Sequence, residues 1–303
     1  MSIKYPDLPP AKAREWVAES VGPNAQVIRV QWLPGGRWHA NHVVTVRRDG
    51  AADQDLVLRR WVRPQWKVED PDFTPQREAQ VLQLVGRAAV ATPRLISVDV
   101  DGTGCDVPAI LTDRLPGHPP RLASDADSFV RQLAEALAVI HTLDGEAREQ
   151  LPAYRRYHDD LVSMVPPAWS SKPDLWTRAA GLAADPPPPG AESLIHRDYH
   201  PGNTLWLGAR LTGVVDWTQG SWGPSAVDAA HMRWNLAVRY GLGAANRFLD
   251  WYRRSTPTSA PEQRYWNVIT VLDLLPDLEP EEWSPVGLDR LERYLEATLD
   301  AAD

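Results

Sequence analysis

The chain has 303 residues, 32 Lys and Arg against 40 Asp and Glu, and a formal net charge of −8. With 43% hydrophobic and 24% charged residues it has the composition of a folded globular protein, not of a disordered one. The acidic balance argues against general nucleic-acid binding, and no run of about 18 apolar residues marks a membrane span. The opening MSIKYPDLPP lacks the apolar stretch of a secretory signal, and Cys105 is the only cysteine. A single cysteine excludes an internal disulfide framework and fits a reducing cytoplasm.

The charge is uneven: residues 1–112 hold 14 basic and 13 acidic residues, and residues 113–303 hold 18 and 27. Two regions with different partners, or ordinary solvation, would both produce this. Residues 10–21 read as a short helix, with Pro10 at its start and Gly22 after its end. QVIRVQWL (26–33), HVVTVRR (42–48) and DLVLRRWV (55–62) read as strands of a small antiparallel sheet. PQREAQVLQLVGR (75–87) has the spacing of an amphipathic helix, and 94–100 and 107–115 read as two further strands.

From about residue 124 the period changes. Phe129, Leu133, Leu137 and Ile140 fall on one face of a helix of about four turns. ADPPPPG (184–190) is an exposed loop, because consecutive prolines suit neither a helix nor a central strand. Residues 225–240, 246–255, 263–275 and 287–299 read as helices. The expected plan is α+β, with a sheet-based lobe at 1–112 and a mainly helical lobe at 113–303.

The chemistry concentrates in HRDYHPGN, residues 196–203. TLWL (204–207) and LTGVVDW (211–217) follow as a predicted hairpin, with Asn203 before its first strand and Asp216 ending its second. An antiparallel hairpin returns to its starting end, so Asn203 and Asp216 are expected near each other, with Asp198 in the same loop. Two carboxylates and an amide oxygen suit Mg²⁺, a hard cation that shares its oxygen ligands with substrate phosphates. Asp198 would orient an alcohol and take its proton, while Asn203 and Asp216 would hold metal. His196, beside Leu194 and Ile195, reads more simply as a core histidine bracing the loop. For the other three the simpler alternative is a turn, which Asp, Asn and Pro201-Gly202 all favour.

HRDYHPGN followed by VVDW resembles the catalytic loop and metal-binding segment of the aminoglycoside phosphotransferase family, relatives of protein kinases. The likeness extends over about residues 25–300, with its specific motifs within 196–228. It implies a protein-kinase-like two-lobe fold, with a nucleotide-binding lobe at 1–112 and a catalytic and acceptor-binding lobe at 113–303. It implies Asp198 as catalytic base, His196 as a structural part of the catalytic loop, Asn203 and Asp216 as metal ligands, and Mg²⁺ with ATP or GTP. Asp228 matches the acidic residue that opens the next helix and supports the catalytic loop; by itself it reads equally as a first-turn carboxylate.

In the front lobe, Arg59 stands where a protein kinase carries its phosphate-clamping lysine, and Glu78 is its natural partner. An arginine can make that pair and still offer charge to phosphate, although the two cations are not equivalent. The simpler alternative is a surface salt bridge. LPGG brings Gly35 and Gly36 where they could fold over nucleotide phosphates, or form a plain hairpin turn. AILTDRLPG (109–117) resembles a hinge whose Asp113 and Leu115 backbone groups would meet adenine, or else an edge strand running into a loop.

The resemblance implies a cytoplasmic phosphotransferase acting on a hydroxylated small molecule, an aminoglycoside or macrolide among the candidates, with no nucleic-acid or membrane partner. A catalytically silent nucleotide-binding regulatory protein and a choline- or homoserine-kinase-like enzyme are the alternatives. A protein kinase fits less well, because WTQGSWGP after Asp216 contains neither Phe-Gly nor an activation segment. The acceptor and the oligomeric state are not legible. The acidic run Asp273, Asp277, Glu279, Glu281, Glu282 could bind amino groups or simply be solvated. Trp222, Trp234, Trp266 and Trp283 could line a pocket or belong to the core.

Overall fold

The computed structural model describes residues 8–34, 39–69, 72–120, 126–143, 146–256 and 263–301. They divide into two compact units. The first comprises the described residues through Pro116 together with Gly213–Gly220, and the second comprises the rest.

The first unit contains α1 (Ala11–Val21), β1 (Gln26–Leu33), β2 (His39–Arg47), β3 (Gln54–Trp61), α2 (Trp66–Glu69), α3 (Pro75–Val85), β4 (Leu95–Asp99) and β5 (Ala109–Asp113). The five strands form one antiparallel sheet in the order β1-β2-β3-β5-β4. The period-two alternation of strands sorts the side chains onto two faces. Leu56, Leu58, Ala109 and Leu111 pack with Trp16 and Val17 of α1, whereas Trp61 and Ile110 pack with Ala79 of α3. The same alternation sends Arg59 and Arg60 to opposite faces, and Arg60 meets Asp106. The alternative to the hinge at 109–117, an edge strand, does not hold, since β5 lies between β3 and β4.

The second unit contains α4 (Ala126–Ile140), α5 (Glu146–Gln150), α6 (Pro173–Leu182), β6 (Glu192–Ile195), β7 (Thr204–Leu207), β8 (Arg210–Val214), β9 (Ser221–Pro224), α7 (Ala226–Tyr240), α8 (Leu242–Ser255), α9 (Gln263–Leu274) and α10 (Pro285–Leu299). Strand β8 runs out of this unit into the first. The apolar face of α4 is buried as its spacing predicts. Helix α7 packs against α8, α9 and α10. Gly241, at φ 88°, turns the chain from α7 directly into α8, which therefore begins four residues before its apolar pattern suggests. Strands β6 and β9 pair with each other but have four residues each, too few to show a period. Among the described residues, no helix is long and apolar enough to cross a membrane.

Candidate active site

The loop 196–203 is held from below. Leu194 and Ile195 of β6 are fully buried and fix its entry. Arg197 then takes a left-handed backbone conformation, φ 71°. Asp228, in the first turn of α7 and fully buried, accepts the backbone N–H of His196 at 2.7 Å on Oδ2 and that of Arg197 at 2.6 Å on Oδ1. His141 Nε2 lies 3.2 Å from the same Oδ2 and is itself held through Nδ1 by the Tyr252 hydroxyl at 2.7 Å. The Asp228 carboxylate thus serves the loop instead of its own helix terminus. His196 is buried in the core of this unit.

At the far end of the loop, His200 Nδ1 accepts the Gly202 N–H at 3.0 Å and caps a single 3₁₀ turn over Pro201–Asn203. A Cβ at Gly202 would lie 2.5 Å from the His200 ring, so a side chain there would displace the cap. Burial pushes the His200 imidazole down to about 4 although Asp198 works the other way, so the ring is neutral at physiological pH. The turn aims the Asn203 amide back along the loop: Nδ2 donates to the Asp198 carbonyl and to Asp198 Oδ2, both at 3.0 Å. The amide oxygen is the atom that a hard cation prefers. Asp198 keeps 33% of its side chain exposed, and its Oδ1 lies 3.1 Å from His231 Nε2. His231 is absent from the motif reading. Its only signal is position: it stands three residues after Asp228 on α7, and such neighbours share a helix face.

A second cluster lies in the first unit. Arg59 Nη1 reaches Glu78 Oε1 at 2.9 Å, Asp216 Oδ1 at 2.8 Å and Thr218 Oγ1 at 3.1 Å. Arg59 and Glu78 side chains are 14% and 6% exposed, so their contact is no surface salt bridge. Asp216 does not end a hairpin strand, as its sequence position suggests. Strand β8 stops at Val214, and Asp216 adopts φ 67°, which ends extended chain. Fully buried Trp217 donates to the Val214 carbonyl at 3.0 Å and secures the bend. Gly213 leaves room for Leu115, and Gly220 for Val81, so this segment packs with the first unit. Burial raises the Asp216 carboxyl, but the Arg59 charge and the Thr218 hydroxyl outweigh it and hold it well below the usual range.

His39 belongs to the same cluster. Burial first and the Arg59 charge second push its imidazole from 6.5 to about 3, against the pull of Asp216. Between those values the unfolded chain binds more protons, so His39 costs stability as the pH falls below 6.5, by up to ~1.4 kcal/mol per pH unit. Burial pushes the Glu78 carboxyl from 4.5 to about 7, with Arg59 opposing, which favours the folded chain on acidification over that window. The two partly cancel in the parent protein, so His39 is read by difference. His39→Gln is expected to gain about 2 kcal/mol on the parent between about pH 7.5 and about pH 5 in urea unfolding. A stability gap that stays constant across that range would show that the histidine titrates normally.

Other expected nucleotide contacts fare differently. Gly35 and Gly36 lie outside the described residues. The Asp113 N–H donates to the Arg94 carbonyl at 3.0 Å within the sheet, which engages one of its two backbone groups. Leu115 lies two residues beyond β5.

Asp198 forms part of the wall of a cavity of about 670 Å³ within the second unit, together with His231, Trp234, Arg239, Trp283 and Arg290. Of the four tryptophans singled out, Trp234 and Trp283 line it, Trp266 is buried, and Trp222 on β9 donates its Nε1–H to Glu192 at 3.1 Å. Asp273, Asp277, Glu279 and Glu281 are not part of the wall.

Residues 38–265 match the model of the phosphotransferase enzyme family, APH. The chain belongs to that family. It is a small-molecule phosphotransferase, and its fold is the kinase-like one of the family. The macrolide 2′-phosphotransferase MphH from Brachybacterium faecium superposes with a TM-score of 0.61 at 19% identity, over 95% of this chain and 97% of that one. A thermostable mutant of the aminoglycoside phosphotransferase APH(4)-Ia, solved with ADP and hygromycin B, superposes at 0.62 and 16% identity, over 97% and 100%. A GDP complex of a mutant aminoglycoside 2′-phosphotransferase-IIIa superposes at 0.64 and 18% identity, over 91% and 94%. At such identities these structures speak for the fold. No curated protein is similar in sequence. The phosphotransferase thus presents its HRDYHPGN loop clamped by Asp228, with Asp198 open to a cavity.

Proposed function

We propose that this phosphotransferase moves the γ-phosphoryl group of ATP or GTP to a hydroxyl of a small molecule, with Asp198 as the base. The observation that carries the reading is the placement of Asp198, which His231 and Asn203 hold in the wall of a cavity large enough for such an acceptor. The acceptor oxygen attacks the γ-phosphorus, the bond from phosphorus to the β–γ bridging oxygen breaks, and the hydroxyl proton passes to an Asp198 carboxylate oxygen. A carboxylate only accepts hydrogen bonds, so the His231 and Asn203 donors keep Asp198 oriented before the proton arrives. Arg59, braced by Glu78, would meet the donor phosphates; the brace survives the change from lysine, which speaks against a silent protein. The Leu115 backbone would serve adenine.

The oxygen donors fit Mg²⁺: the Asn203 amide oxygen and the strongly acidic Asp216 carboxylate are the ligands that the resemblance assigns. When bound, the ion would neutralise charge on the transferring phosphates. Such an ion would take its further ligands from phosphate. Neighbouring structures contain ADP, GDP and AMP-PNP, and their partners include hygromycin B and streptomycin. Those neighbours support a hydroxylated small molecule as the acceptor class, with aminoglycosides and macrolides as the examples they supply. A cytoplasmic location, where nucleoside triphosphates are made, agrees with the lone cysteine.

The test is a mass-spectrometric screen of hydroxylated compounds with Mg-ATP or Mg-GTP, reading the gain of one phosphoryl group and its loss on chelation. Mg-nucleotide binding without transfer to any acceptor would instead favour the silent nucleotide-binding reading.

A further inference from the structure

The wall of the Asp198 cavity has a charge opposite to that expected for a polyamine site. It contains one carboxylate, Asp198, and two guanidinium groups, Arg239 and Arg290. Counting Asp and Arg alone, its formal charge is +1. Asp198 faces His231 Nε2 on one oxygen and Asn203 Nδ2 on the other, and keeps acceptor capacity for the hydroxyl. Arg290 Nη1 donates to the Val238 and Arg239 carbonyls at the end of α7, both at 3.1 Å, where the helix dipole favours a cation. Arg239 is exposed, and its guanidinium makes no ion pair among the described residues.

Of the acidic run near the end of α9, Asp273 is held by other groups, and Asp277, Glu279 and Glu281 are exposed and are not part of this wall. Asp273 is buried and accepts the backbone N–H groups of Tyr157 at 3.0 Å and His158 at 2.8 Å. Asp277 lies 3.9 Å from His158 Nε2. The apolar part of the wall is flat: Trp234 and Trp283 stack with ring centres 6.2 Å apart and planes at 23°. Stacked indoles offer a surface for a ring or another planar group.

We infer that the acceptor of this enzyme is an alcohol with an anionic group, set toward Arg239, and a flat apolar body against the Trp234–Trp283 pair, and that it is not a polycation. This rests on the assignment of the cavity as the acceptor site. Three small probes share a ring and a hydroxyl and differ in charge: 3-phenyllactate, its methyl ester and phenylalaninol. Their binding to the full chain is read by calorimetry or ligand-observed NMR, with hygromycin B as the polycation. The expected order is acid, ester, amine, with about tenfold between acid and amine, since like charges at a site rim oppose binding. Arg239→Glu is expected to reverse that order. Tighter binding of phenylalaninol or hygromycin B, an order unchanged by Arg239→Glu, or no binding of any probe overturns the inference. Mg-ATP binding is measured separately: if it is absent while the acid still binds better than the amine, the phosphotransfer reading fails and the preference of the cavity stands.

Discussion

Replacing Asp198 with asparagine is expected to cut turnover by about 10² to 10⁴ while Mg-nucleotide binding persists. The side chain keeps its size but can no longer take a proton, and its amide would place a donor against His231 Nε2 or Asn203 Nδ2, both of which now face carboxylate oxygen. Its contacts lie within the second unit, whereas Arg59, Glu78 and Asp216 belong to the first. Single-turnover kinetics with an acceptor that the parent enzyme phosphorylates, set beside nucleotide titration, separates the two effects. Full turnover in the variant would remove Asp198 from the proposed mechanism.

Replacing Asp228 with alanine is expected to cost about 3–5 kcal/mol of stability. The carboxylate is fully buried and accepts two consecutive N–H groups of the catalytic loop, with His141 alongside. Each buried N–H left without an acceptor costs about 1–3 kcal/mol. Since whole domains are stable by about 5–15 kcal/mol, the alanine variant approaches the limit of folding. Asp228→Asn keeps one acceptor oxygen and is expected to lose about half as much, which gives a soluble variant for urea unfolding. A loss near 1 kcal/mol in the alanine variant would mean that Asp228 only complements the α7 dipole, as a first-turn carboxylate does.

The loop shows why such a residue is half legible. HRDYHPGN marks itself in sequence because its groups are local: the His200 cap, the Gly202 turn and the Asn203–Asp198 bond all fall within five residues. The Asp228 clamp closes over 31 and 32 residues, and the Arg59–Asp216 contact over 157. No spacing rule reaches that far. Arg59 and Glu78 lie between these cases. Strand alternation separates Arg59 from Arg60, but its pairing with Glu78 is legible only through the resemblance to the kinase Lys–Glu brace.

By itself, then, the amino-acid sequence determined the regular elements with their buried faces, the glycine-dependent turn of the catalytic loop, and the side chains that could do chemistry. These depend on backbone sterics and on periods of two and 3.6 residues, which act between near neighbours. The tertiary structure alone decided that Asp216 leaves its hairpin to join Arg59, that His231 stands beside Asp198, and that two guanidinium groups, Arg239 and Arg290, share the wall of the cavity with Asp198. Those outcomes depend on which buried polar groups find partners across the fold, and desolvation leaves a buried charge few alternatives to the partner that packing brings it.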